Sequence, residues 1–101
     1  MFTTMRQIRL EVVATNRSGT SFEVPPTELG RFAGGAASQF FGGAEQFRRR
    51  PAGLQPRVHL ADIARLACRM TGAATVDVRL LERADDTAPV EPFSVHQTCQ
   101  P

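Results

Sequence analysis

The chain has 101 residues, its twelve basic residues face ten acids for a formal net charge of +2, and every one of the twelve is arginine. That length makes one domain, able to bury a core without obligatory staples. An apolar content of 42% with 22% charged residues excludes disorder throughout, and no run approaches the roughly 18 apolar residues that cross a bilayer.

So small a net charge selects no partner, but its distribution is uneven. Residues 1–83 carry +5, from twelve arginines and seven acids, and residues 84–101 carry −3, from three acids and no arginine. A lysine-free chain is rich in planar guanidinium groups, which suit phosphate and carboxylate. A coding bias that also enriches Ala, Gly and Pro explains the same composition.

QIRLEVVAT (7–15) places Ile8, Leu10, Val12 and Ala14 on one side, with Gln7, Arg9, Glu11 and Thr15 opposite and Val13 the one apolar exception. Period two with β-branched residues predicts a strand with one buried face. NRSG (16–19) is turn chemistry. TSFEV (20–24) alternates again, with Phe22 and Val24 together, so a hairpin is expected that ends at Pro25 and Pro26.

Thr27 and Glu28 suit a helix start. Leu29, Phe32, Ala33, Ala36, Ala37, Phe40, Ala44 and Phe47 then recur at threes and fours, a continuous helical stripe. Gly34, Gly35, Gly42 and Gly43 oppose it at about 0.8–1.0 kcal/mol each, against about 1.5–3 kcal/mol for each Phe that becomes buried. The spacing predicts one helix over 28–50, with a break at Gly42-Gly43 as the alternative. Pro51 would stop it, and Arg48, Arg49 and Arg50 would occupy the negative end of its dipole.

PAGLQPR (51–57) reads as a connection. VHLADIARLACRMTG (58–72) predicts a helix with Leu60, Ile63, Ala64, Ala67 and Met70 on one stripe and Gly72 as its C′ residue. ATVDVRLLER (74–83) alternates as a third strand. The expected fold is a single α+β domain over 1–83 in the order β-β-α-α-β. Its sheet is three-stranded and mostly antiparallel, with both helices on one face. Residues 84–101 form a Pro-containing acidic tail, either an edge arm built on VEPFSV or disordered.

Chemistry is thinly represented. His59, Cys68, His96 and Cys99 match zinc in number, but the nine residues between His59 and Cys68 would span about 13 Å of helix, too far for ligands of one tetrahedral ion. No metal and no cofactor are expected. Cys68 falls beside an apolar stripe, where a thiol is inert packing. No serine lies in a nucleophile elbow, and GGAASQFFGG lacks the Lys-Ser/Thr ending of a phosphate loop. No catalytic residue, and no small-molecule substrate, is expected. The start MFTTMRQ carries no apolar signal segment, so a cytoplasmic protein with two reduced thiols is expected.

Two binding functions remain. The first is a small non-enzymatic interaction protein that binds a macromolecular partner stoichiometrically, as adaptor, inhibitor or assembly subunit, or that self-associates. Its contact surface would combine Phe41, lying off the stripe, with Arg48, Arg49, Arg50 and Arg57, while Val13 and Leu81 project from the outer sheet face. The second is an RNA- or DNA-binding protein using Arg48, Arg49, Arg50 and Arg57 together with Arg65 and Arg69.

Overall fold

The computed structural model of the chain describes residues 5–35, 41–44, 46–51 and 59–100. In chain order the elements are β1 (Met5–Thr15), β2 (Ser21–Glu23), α1 (Pro26–Ala33), β3 (Arg48–Pro51), α2 (Leu60–Thr71), β4 (Thr75–Arg83) and β5 (Glu91–Thr98). The fold is a small α+β domain. Its sheet is antiparallel throughout and four strands wide, with β2 and β3 sharing one margin beside β1, then β4, then β5 at the other margin.

The hairpin forms where turn chemistry allows it. Asn16 Oδ1 accepts from the backbone N–H groups of Ser18 and Thr20, and Gly19 takes a φ of 89°, a left-handed setting natural to glycine. From there β2 pairs Ala14 with Phe22 and Val13 with Glu23. Val24 is buried but Phe22 is exposed, so only one of the two residues expected on the buried side reaches it.

One face of the sheet carries the core. Ile8, Leu10, Val12 and Ala14 of β1 join Val76, Val78 and Leu80 of β4, and Leu29 from α1 and Leu60, Ile63, Ala64 and Ala67 from α2 close over them. Both helices thus cover the same face, as period-two burial on the strands requires. α2 ends at Gly72, whose φ of 66° lets its N–H bond the Cys68 carbonyl.

The predicted long helix is not found. α1 stops at Ala33, and Gly34 and Gly35 both take positive φ, of 71° and 58°. Two consecutive residues in that region cannot continue a right-handed helix. Phe32 is left 51% exposed, so the burial that would have offset the glycines is not collected there. Residues 36–40 and 45 of the expected stripe lie outside the described residues. Arg48, Arg49 and Arg50 are not a helix's last turn: they are extended and pair with β1, opposite Ile8, Gln7 and Arg6. The three-stranded expectation therefore misses β3, and among the described residues the order is β-β-α-β-α-β-β.

Of the two readings for residues 84–101, the edge strand is the one observed. β5 pairs with β4 along its full length, from Glu82 opposite Glu91 to Thr75 opposite Thr98. Asp85 starts the connecting turn by accepting from the N–H and the hydroxyl of Thr87, bonds that hold its carboxyl below the usual carboxylate range. Beyond β5, Cys99 forms a disulfide with Cys68 of α2, their Cα atoms 5.4 Å apart. Two reduced thiols were expected. The pairing is invisible locally because it joins residues 31 positions apart.

Candidate functional site

The expected surface loses its apolar anchor. Phe41 is buried, 4% exposed, within the core cluster beside Ala44. It lay off the helical stripe only on the assumption that the helix continued. Leu81 does face away from the helices, in register with Arg9 and Pro92, but it is buried, unlike Asp77 and Arg79 on the same face of β4. Val13 is half-buried. Arg57 lies outside the described residues.

The arginines fall into two groups. Arg48–Arg50 sit at the end of the sheet where β1 begins. Arg65 and Arg69 are exposed on α2 and line a cleft with Gln97, Thr98, Cys99 and Gln100, at the other end of β5. Eight residue steps along β1, from Gln7 to Thr15, separate those two ends, about 27 Å of strand. Of the arginines proposed for a nucleic-acid surface, Arg48–Arg50 and the pair Arg65 and Arg69 thus lie toward opposite ends of the sheet.

Around β3 the neighbouring arginines are already engaged. Arg83 Nε donates to Gln7 Oε1 at 2.6 Å, its guanidinium lies 3.8 Å from the centre of the Phe47 ring, and its Nη2 is 3.7 Å from Asp86. Gln7 Nε2 donates in turn to Asp86 Oδ1 at 2.6 Å. Arg6 stands between the buried Glu82, at 3.5 Å, and Glu91, at 3.8 Å. No local pattern in the sequence announces these groupings, because each joins β1 to the end of β4 or to the residues after it.

The outer face is polar and internally paired rather than basic. Glu11 is within ion-pair distance of Arg9 and Arg79, at 3.4 and 3.7 Å. His96 Nδ1 lies 2.6 Å from Asp77 Oδ1 across β4 and β5. Such exposed pairs contribute about 0–1 kcal/mol each, so they fix charge placement more than stability.

The margins of the sheet differ in their backbone groups, which alternate in direction along an antiparallel strand. Leu10 N–H donates to the Ala44 carbonyl and the Val12 carbonyl accepts from Val24 N–H, so the even residues of β1 point away from β4. Following the registers across the sheet, even residues of β4 point toward β5 and even residues of β5 point outward. Pro92, which has no N–H to give, is on the outward set, where a proline is tolerated. The N–H groups of Ser94, His96 and Thr98 and the carbonyls of Pro92, Ser94 and His96 therefore line an open edge. The Thr98 carbonyl already accepts from the Gln97 side chain at 3.0 Å.

Among the described residues no helix is long and apolar enough to cross a membrane. Both sulphurs that might have bound a metal are joined to each other. No family model, no curated protein and no solved structure matches the chain.

Proposed function

We propose that the chain is a small non-enzymatic interaction protein that binds a macromolecular partner stoichiometrically, as an adaptor, inhibitor or assembly subunit, by taking an extended segment of that partner along β5. The observation that carries this reading is the outward row of backbone groups from Pro92 to Thr98, at a margin that no other strand covers among the described residues. Main-chain hydrogen bonds supply affinity in strand addition, and alternate side chains supply selectivity. Here the selecting side chains are the half-buried Phe93 and Val95 on the core side and Ser94 and His96 on the other. A second copy of the chain is one such partner. The cytoplasm, expected from the sequence, stays part of this proposal. There the reducing pool would hold Cys68 and Cys99 as thiols in most copies.

A photo-crosslinker at position 94 or 96, used in the source cells, identifies the partner segment. Reconstitution should then give a fixed stoichiometry, and His96→Pro, which removes one outward N–H, should weaken binding at least about tenfold, the loss of roughly 1.4 kcal/mol. Unchanged binding by His96→Pro overturns the reading. A nucleic-acid reading keeps one specific support: Arg48, Arg49 and Arg50 stand consecutively on one marginal strand. Affinity for single-stranded RNA or DNA that collapses between low and moderate salt is its signature.

A further inference from the structure

The cleft between α2 and β5 has a volume of about 390 Å³, within the range of small-molecule sites. The Cys68–Cys99 disulfide forms part of its wall, and both cysteines are only partly buried, packed on the rim of the core rather than within it. Asp62, Arg65 and Arg69 face it from α2, and Gln97, Thr98 and Gln100 face it from the β5 side. Asp62 is committed to Arg65 by an ion pair. Arg69 has no carboxylate within ion-pair distance among the described residues, so the cleft carries one uncompensated positive charge beside the sulphurs.

We propose that Cys68–Cys99 is a thiol-exchange site, reached through this cleft by a small thiol that carries carboxylates. The incoming thiolate attacks Sγ of Cys99. A new S–S bond forms there, the Cys68–Cys99 bond breaks, and Cys68 leaves as a thiolate beside Arg65 and Arg69. That environment favours the departure, because a leaving thiolate is stabilised by neighbouring cations. A second thiolate then attacks the small-molecule sulphur of the mixed disulfide and frees Cys99. Two electrons pass from two small thiols to the protein, the thiols leave as their own disulfide, and the protein thiolates take protons from water. Exchange unties Cys99 from α2 and leaves β5 held by its pairing with β4. This inference does not depend on what binds the β5 edge.

The test uses the oxidised full chain without denaturant. It is incubated with reduced glutathione, which is anionic, or with cysteamine, which is cationic, and free thiols are alkylated and counted by intact mass over time. Per thiolate, glutathione should react about fivefold faster, the factor of one charge pair at a water-exposed site, with the mixed disulfide mapping to Cys99. Arg69→Glu should abolish or reverse that preference. Arg31→Glu, which makes the same change of net charge on exposed α1, should leave it intact. Equal per-thiolate rates, a preference unaltered by Arg69→Glu, or reduction seen only after the chain has unfolded overturns the proposal.

Discussion

Along β1 the outward backbone groups meet three other parts of the chain: β2, the Ala44 carbonyl and β3. Along β5 the equivalent groups meet no other strand among the described residues. An unpaired edge is a template for another chain, and proteins blunt it with charge, proline or cover. The β1 margin has cover, assembled from the glycine- and arginine-rich middle of the sequence. The β5 margin has one proline, at Pro92, and otherwise neutral residues from Phe93 to Thr98 with His96 among them. The middle of the chain, which the sequence reads as a helix ending in three arginines, closes a margin, and the acidic tail leaves one open among the described residues.

The largest predicted effect tests the cover. Phe41 is buried next to Ala44, whose carbonyl receives Leu10 N–H at 2.7 Å. Phe41→Ala should cost about 3–5 kcal/mol, the range for emptying a core aromatic site, and should raise hydrogen exchange at Leu10 most. Chemical denaturation and exchange by NMR measure both. A loss under about 1 kcal/mol would return Phe41 to the surface.

Next in size is the tether at the opposite margin. Cys68–Cys99 closes a loop of about 31 residues, and loop-closure entropy assigns it about 3–4 kcal/mol. The Cys68→Ser, Cys99→Ser double variant should lose that amount in urea unfolding, with residues 91–98 the first to exchange. Loss spread evenly over the sheet would mean that the disulfide does not act on β5 in particular.

Two prolines then separate the two sides of β5. Val95 faces Val78 and belongs to the inward set, so Val95→Pro deletes a ladder hydrogen bond and strands its acceptor, about 1–3 kcal/mol. His96 belongs to the outward set, so His96→Pro should cost less than about 1 kcal/mol, the span of strand preference. Thermal melts of the two variants decide it. The reverse order would invert the assigned direction of the edge.

Local order was legible where a period is strict. Residues 7–15 and 75–83 alternate, 60–70 repeat at threes and fours, and each became the element expected. Residues 29–47 satisfied the helical period equally well, and there the glycines decided: two successive positive φ values at Gly34 and Gly35 end α1 at Ala33. What remained hidden is non-local. Arg50 opposite Arg6, Gln7 between Arg83 and Asp86, and Cys68 bound to Cys99 each join positions far apart in the chain. A period read within one window carries no information about them. The burial of Phe41 was hidden for the same reason, since its place depended on where the preceding helix ended.

The smallest effect on stability belongs to the arginines of β3. Residues 48–50 pair with the first residues of β1, and that pairing is made by backbone groups. The Arg48→Ala, Arg49→Ala, Arg50→Ala triple variant should therefore change unfolding free energy by no more than about 0.5 kcal/mol, as for substitutions away from buried features. Binding separates the margins more sharply than stability does. A partner seated on β5 should bind the triple variant within about threefold of the parent, because charges at the opposite margin are screened beyond about 8–10 Å. Single-stranded nucleic acid seated on β3 should lose most of its affinity and about two units of salt slope, at roughly 0.7 for each of three phosphate contacts. Fluorescence anisotropy across a salt series reads both. If the triple variant weakens a protein partner as strongly as a nucleic acid, one surface runs across both margins and the contrast between them fails.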